Sequence, residues 1–419
     1  MSLLPRFIRV RQNFARPAPL DLRATLTTEF EKLRPRVKPG ARIAVGVGSR
    51  GITNLKPIVA EVLALLRAAG AEPVIFPAMG SHGGATPEGQ REVLASYDIT
   101  EASMHAPIRA SLEVRQVGVT ADGKPVWCSV EALGADGIVL VNRVKPHTDF
   151  VGELGSGLLK MAVVGLGKQV GAAAMHMAAS EIGHERAIRT MAGVLIRETP
   201  LLGGFALLEN QFHETAKIVG LRREEMEKGE DALLVEARRL MPLLPFDEID
   251  LLIVDRIGKN ISGTGMDPNV IMRSIDGYSS HLRRDGRPAP FIRRIFVRDL
   301  TPETHGNAIG IGLADITTTR LARAMDPRIT FVNSMTALTP QSAKLPVYFD
   351  TDREAIERAL ASLPLADPAA ARIVRIADTL NLVEMEISEA LWPAAKARPE
   401  IALVRPAAGL EFDAEGNLQ

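Results

Sequence analysis

Three polar residues follow apolar, strand-like stretches in the first 150 residues of the sequence: Arg50, His82 and His147. Arg50 lies in GVGSRG after RIAV, His82 lies in GSHGGAT after PVIFPA, and His147 lies in VKPHTDF after GIVLVNRV. Open α/β sheets bind their ligands at the carboxyl ends of the strands. We therefore expect these side chains to meet at one sheet edge, where an arginine can bind a carboxylate and imidazoles can exchange protons.

The stretch GVGSRG also matches the G-x-G-x-x-G pattern of dinucleotide-binding turns. In that fold the glycines open the next helix, whereas here Pro57 sets the first helical turn several residues later. The following strand, PVIFPA, also ends without the acidic residue that binds a ribose hydroxyl. The sequence favours a strand-end loop that displays Arg50, and a nicotinamide-dependent dehydrogenase is the alternative.

A glycine-rich segment with a lysine, GELGSGLLKMAVVGLGK, occupies residues 152–168. Its glycines would let the backbone approach a phosphate closely, as phosphate-binding loops do. It is not a P-loop, because Ala162 and Gln169 stand where that motif has Gly and Ser or Thr. Lys160 lies among apolar residues, where a charged amine is costly unless it is paired or covalently modified. The alternative is a lysine whose amine reaches out to solvent.

The composition limits the classes of partner. Lys and Arg together number 50, as do Asp and Glu, so nothing favours nucleic acid or a membrane surface. The single cysteine, Cys128, excludes an internal disulfide and a thiolate-rich metal site. No apolar stretch has the length of a signal peptide or a membrane span, so we expect a cytoplasmic protein. The sequence leaves the oligomeric state open.

Strand-like and helix-like stretches alternate along the chain, which predicts an α/β fold. We expect a doubly wound N-terminal domain over residues 1–245 and a second, smaller α/β domain over 246–391. The tail, 392–419, is expected to pack back on the N-terminal domain. Four further strands are predicted in the second domain after IDLLIVDRI, namely FIRRIFVRDL, GNAIGIGL, RITFV and PVYF.

Taken together, these motifs resemble lactate racemase and its homologues, enzymes that depend on the nickel-pincer nucleotide. The likeness runs from about residue 42 to residue 180. GSHGGATPE resembles the family's first catalytic histidine loop, and VKPHTDFVGELGSGLLKMAVVG resembles its second histidine loop and lysine loop. The interval from Lys160 to His176 keeps the family's spacing. His176 alone would be taken for a core histidine.

The resemblance implies an isomerase, a racemase or epimerase that inverts C2 of a 2-hydroxy acid by hydride abstraction and return. It implies that Lys160 carries the nickel-pincer nucleotide through a thioamide bond and that His176 binds the nickel. His82 and His147 would be paired bases, and Arg50 would bind the substrate carboxylate. The nucleotide phosphate would be accepted by the glycine-rich loop: Gly155, Ser156 and Gly157. Proteins of cofactor biosynthesis are then expected partners, besides the small acid.

The sequence departs from the family at the expected substrate contacts. Val47 stands where lactate racemase has an aspartate, and Met272 and Ile275 stand at its glutamine and lysine contacts. We therefore expect a 2-hydroxy acid other than lactate, with Lys259 and Arg273 as candidate replacement contacts. A cofactor-free binding protein on the same scaffold is a further alternative.

Overall fold

The computed structural model describes residues 4–16, 18–48, 51–148, 150, 152–273 and 290–419. The chain divides into two compact units. The N-terminal unit is Pro17–Met241, and the C-terminal unit combines Met1–Arg16 with Pro242–Gln419. Both contain a sheet with helices, so the predicted α/β class is confirmed.

Strands and α-helices of the described residues are numbered in chain order. The strands are β1 (Phe7–Gln12), β2 (Arg42–Val47), β3 (Glu72–Pro77), β4 (Val114–Val119), β5 (Pro125–Ser129), β6 (Gly137–Arg143), β7 (Leu201–Glu209), β8 (Thr215–Arg222), β9 (Glu248–Ile257), β10 (Phe291–Leu300), β11 (Ile316–Thr318), β12 (Val347–Phe349), β13 (Ile373–Ile376), β14 (Glu384–Ser388) and β15 (Ile401–Ala408). The α-helices are α1 (Leu22–Phe30), α2 (Leu55–Ala68), α3 (Pro87–Ser96), α4 (Glu101–Met104), α5 (Val130–Leu133), α6 (Leu158–Lys160), α7 (Lys168–Ile182), α8 (His184–Glu198), α9 (Met226–Leu240), α10 (Pro268–Ile271), α11 (Thr319–Ala324), α12 (Pro327–Thr336), α13 (Asp352–Ala361) and α14 (Trp392–Lys396).

A five-stranded sheet in the order β3-β2-β6-β7-β8 forms the centre of the N-terminal unit. The first four strands are parallel, and β8 pairs with β7 in the antiparallel sense. Successive residues of β6 belong to two different cores: Ile138 and Leu140 to one, Val139 and Val141 to the other. A strand that is buried on both faces explains the continuous apolar run of β6.

Local sequence sets the helices that follow the first two strands. After β2, helix α2 begins at Leu55, which is past the glycines of GVGSRG. This late start agrees with the argument against a dinucleotide turn. After β3, the Thr86 hydroxyl accepts a hydrogen bond from the Gly89 amide, and Pro87 is the first residue of α3. Both features are typical of a helix N-terminus.

The helices after β6 are sharply bent. The short helix α6 continues into one wide turn with π-type hydrogen bonding, Met161–Leu166, and α7 follows. Among the described residues no single helix is long and apolar enough to cross a membrane. The segments Leu158–Gly165 and Lys168–Ile182 together have the length and the apolar composition of a membrane span, but the chain bends by 113° between them.

The C-terminal unit has an eight-stranded sheet in the order β12-β11-β10-β9-β13-β14-β1-β15. Strand β1 lies between β14 and β15 and is antiparallel to both. Strand β1 and the tail strand β15 therefore belong to the sheet of the C-terminal unit. The sequence analysis predicted that the first residues belong to the N-terminal domain and that the tail packs against that domain. In the structure both segments belong to the C-terminal unit, because β1 and β15 pair with each other.

Two predicted strands of the C-terminal unit are wrong. RITFV lies within helix α12, whose first turn is fixed by Pro327 and by the Asp326 carboxylate, which accepts a hydrogen bond from the Ile329 amide. GNAIGIGL is a buried run of turns that ends in a 3-10 turn, Ile311–Leu313. In α12, helix-start chemistry outweighs the β-branched composition.

Candidate functional site

The carboxyl ends of β2, β3 and β6 lie side by side, because these parallel strands are neighbours in the sheet. His82 follows β3 and His147 follows β6, so both lie at this edge, as the sequence predicts. Arg50, the predicted residue after β2, lies outside the described residues. Its predicted role stays a prediction.

Lys160 contacts His147 directly. The Lys160 Nζ atom lies 2.6 Å from His147 Nε2. His147 is buried, whereas Lys160 is half-buried. Burial, and then the positive charge of Lys160, hold the pKa of His147 well below its usual value. The imidazole is therefore neutral, with Nε2 able to accept the hydrogen bond from the ammonium.

Two more histidines complete a cluster of rings around this pair. His147 stacks on Phe150 with ring centroids 4.4 Å apart, and His184 stacks on the same phenylalanine at 5.4 Å. His176 meets His184 edge to face at 6.3 Å. The structure thus brings together three of the predicted site residues, His147, Lys160 and His176.

The sequence analysis missed His184. This residue opens α8 directly after Gly183, and its ring lies 6.1 Å from that of His147. The available signal was the short interval from His176 to His184 with a glycine between them. A helix break of that kind brings a second imidazole back towards the first, which periodicity within one helix does not predict.

Close backbone packing places Lys160 at the sheet edge. A Cβ atom on Gly165 would lie 2.7 Å from the carbonyl oxygen of Ala78, just after β3. A Cβ atom on Gly48, just after β2, would lie 3.5 Å from Met161, the residue after Lys160. The wide turn that follows Lys160 therefore packs against the ends of both strands. Turns with π-type hydrogen bonds are frequent at functional sites.

A buried carboxylate, Glu230 on α9, binds the start of the helix that carries Lys160. Its Oε2 atom accepts a hydrogen bond from the Leu159 amide at 3.0 Å, whereas its buried Oε1 atom has no hydrogen-bond partner among the described residues. The residue is fully buried, and burial raises the pKa of Glu230 to about 7. A carboxylate at a helix N-terminus satisfies amides that the helix leaves open. The sequence analysis had no signal for it, because charged residues surround it in α9.

The predicted phosphate loop packs tightly against the protein itself. A Cβ atom on Gly155 would lie 2.2 Å from the Lys145 carbonyl oxygen, and one on Gly157 would lie 2.1 Å from Glu230 Oε1. Ser156 exchanges two backbone hydrogen bonds with Lys145. These contacts within the protein already explain why glycine stands at positions 155 and 157, and the explanation needs no ligand. The predicted phosphate contact of Gly155, Ser156 and Gly157 stays a prediction.

The two predicted substrate contacts in the C-terminal unit bind neighbours in that unit. Arg273 is buried and donates to Asp315 at 2.6 Å and to the Leu313 carbonyl at 2.8 Å. The Lys259 ammonium donates to the Gly263 carbonyl at 2.9 Å. These contacts give both residues a structural role within the C-terminal unit. Their predicted substrate contacts stay predictions.

The described residues contain no group of three or more His, Cys, Asp or Glu side chains that could hold a metal ion. The arrangement around Lys160 is of another kind, with a primary amine in contact with a neutral imidazole and two further imidazoles nearby. An amine in such a place can be modified covalently, and imidazoles can accept protons or bind a metal.

The fold and this site define an α/β protein with a lysine among histidines at a sheet edge. Residues 22–187 match the family model described as the lactate racemase N-terminal domain, which confirms the predicted resemblance over this part of the chain. The whole chain resembles the structure of the lactate racemase apoprotein from Thermoanaerobacterium thermosaccharolyticum, with a TM-score of 0.53 and 12% sequence identity. The alignment covers 90% of this chain and 99% of that one. No curated protein matches the chain in sequence.

At 12% identity the structural likeness extends to the fold alone. The family match covers all the residues predicted for the site except Lys259 and Arg273. The family supports a function of the racemase or epimerase type.

Replacing Glu230 by Gln tests the buried carboxylate. Because burial raises the pKa of Glu230 from 4.5 to about 7, its proton-linked stability is fully present below about pH 4.5 and is lost as the pH rises through 7. The free energy of unfolding of Glu230→Gln, relative to the wild type, should increase by about 2–3 kcal/mol between pH 5 and pH 8. Chemical denaturation at both pH values measures this, with the exposed Glu92→Gln as control. A difference that is independent of pH would contradict the assignment.

Proposed function

We propose that this protein is a racemase or epimerase that inverts C2 of a 2-hydroxy acid by hydride abstraction and return, with a nickel-pincer nucleotide bound at Lys160. The observation that carries the proposal is the contact of 2.6 Å between Lys160 Nζ and His147 Nε2 within the histidine cluster. It places the amine that would carry the cofactor beside an imidazole that can act as a base.

The residues around Lys160 fit such a group. Imidazole nitrogen is a good ligand for nickel, and the cluster presents three imidazoles near one amine. Lys160 would hold the nucleotide through a thioamide bond, and His176 would bind the nickel. When bound, the group supplies a hydride acceptor that stays in the site. Because Glu230 already binds the Leu159 amide, the proposed phosphate contact is left to Ser156 and the glycines beside it.

His147 is the proposed base for the substrate hydroxyl. Its neutral imidazole can accept a proton at Nε2, where Lys160 now donates a hydrogen bond. Conversion of the amine into a thioamide would remove a positive charge beside the ring. The charge of Lys160 is the second cause, after burial, of the depressed pKa of His147, so this conversion would remove one of the causes.

His82 and Arg50 complete the proposal. Inversion needs a base for the hydroxyl in each orientation, and His82 lies at the neighbouring part of the same sheet edge. Arg50 is proposed to bind the carboxylate, since its guanidinium is always charged and binds in a bidentate manner. Hydride removal avoids placing a second negative charge beside that carboxylate.

The late start of α2 disfavours the nicotinamide-dependent alternative, because the glycines of GVGSRG do not open the helix. A cofactor-free binding protein differs from our proposal in one observable respect, since it would bind a 2-hydroxy acid without changing its configuration. Chiral chromatography after incubation with a panel of 2-hydroxy acids separates the two.

The fate of the C2 hydrogen tests the proposed reaction. A substrate from that panel that carries deuterium at C2 should keep its label in the inverted product, because a returned hydride does not exchange with solvent. Mass spectrometry of the separated enantiomers or epimers, after reaction in ordinary water, measures the retention. Washing out of the label would show proton abstraction instead.

The paired bases can be tested by substitution. His147→Gln and His82→Gln should each lower kcat at least about 100-fold, since each removes a base for one orientation of the hydroxyl. The mass of the protein–cofactor adduct should be unchanged in both. His105→Asn is the matched control, because His105 is exposed and has a left-handed backbone conformation that asparagine tolerates. Full activity in either glutamine variant would refute the pairing.

A further inference from the structure

A lysine with no part in the proposed chemistry, Lys168, is buried beside the loop that carries His82. Its side chain is fully inaccessible to solvent, and its backbone φ of +54° is left-handed. The ammonium donates to the Pro77 carbonyl at 2.5 Å and to Gln90 Oε1 at 2.9 Å, and it lies 5.8 Å from the centre of the Phe76 ring. Burial lowers the pKa of Lys168 to about 8. A buried cation of this kind is costly, so its presence needs a reason.

Gln90, which accepts a hydrogen bond from Lys168, also binds the loop that carries His82. Gln90 is also fully buried, and its Nε2 atom donates to the Gly80 carbonyl at 2.9 Å and to the His82 carbonyl at 3.3 Å. Two carbonyls of the His82 loop are thus held by one amide group. The Lys168 ammonium fixes which way that amide faces, because an ammonium can only donate and therefore requires the amide oxygen.

The pair also connects two parts of the site. Lys168 is the first residue of α7, the helix that carries His176, whereas Gln90 lies in α3, directly after the His82 loop. The loop is packed tightly at this point, since a Cβ atom on Gly83 would lie 2.4 Å from the backbone of Gly89. The hydrogen bonds therefore join the helix of one proposed site residue to the loop of another.

We propose that Lys168 and Gln90 are positioning residues that hold the His82 loop in place relative to α7. This inference rests on the proposed function for the role of His82, although the geometry of the loop can be measured without it. A role in stability alone is the competing explanation. The two explanations predict different behaviour of the His82 loop when the pair is replaced without loss of stability.

The first variant is Gln90→Glu. A glutamate keeps the size of the side chain and gives Lys168 an opposite charge, so the protein should remain folded. It cannot donate to Gly80 and His82, and its second oxygen would face their carbonyls. The second variant is the double substitution Lys168→Met with Gln90→Met. Removing Lys168 and Gln90 together leaves neither side chain unpaired, while the carbonyls of Pro77, Gly80 and His82 lose a donor.

Two readouts are measured on the full chain. Hydrogen–deuterium exchange across residues 78–90 reports the loop directly and needs no activity, and we expect faster exchange in both variants than in the wild type. In the cofactor-loaded enzyme, kcat should fall about 10- to 100-fold while the adduct mass is unchanged, since small misplacement of a catalytic group costs that much. Gln116→Glu, at an exposed position of β4, is the control.

Each outcome decides between the explanations. Faster exchange with a lower kcat in folded variants supports positioning. Wild-type exchange in both variants, or wild-type kcat in a stable double variant, overturns it. If the wild type inverts no 2-hydroxy acid at all, the proposed function fails, and the exchange rates alone decide whether the pair holds the loop.

Discussion

The proposed chemistry of this protein depends on one contact, between the Lys160 amine and the neutral His147 imidazole. A buried imidazole next to an ammonium stays unprotonated, because burial and the neighbouring charge both oppose a second positive charge. The site therefore holds one ammonium and one unprotonated imidazole at hydrogen-bonding distance. Each proposed role in this protein, from cofactor attachment to proton transfer, starts from that pair.

The rest of the N-terminal unit serves to place this pair. Parallel strands bring three loops to one edge, and glycines let the lysine segment approach the strand ends closely. Two buried charged groups then bind the backbone on either side of it. Glu230 binds the start of the helix of Lys160, and Lys168 acts through Gln90 on the loop of His82. Costly buried charges near a site are typical where geometry matters more than stability.

The sequence predicted what depends on local patterns. Apolar runs predicted β2, β3 and β6. Strands β7 and β8 were missed, because glycines and charged residues interrupt them. RITFV was predicted as a strand on composition alone, and the helix start before it prevailed.

The candidate site was predictable only in part, for a related reason. His82, His147 and Lys160 each follow a local pattern, whereas the roles of His184, Glu230 and Lys168 arise from contacts between distant segments. Pairing of the first and last strands in the C-terminal sheet is likewise a contact across almost the whole chain. Such contacts leave no periodic signal in a single sequence.

The intact mass and nickel content of the protein, after co-expression with the enzymes that make the pincer nucleotide, test the central claim most directly. We predict a mononucleotide-sized adduct on Lys160 with near-equimolar nickel, both lost in Lys160→Ala and kept in the exposed-lysine control Lys228→Ala. An unmodified mass without nickel in the wild type, or the same adduct in Lys160→Ala, would contradict the proposal.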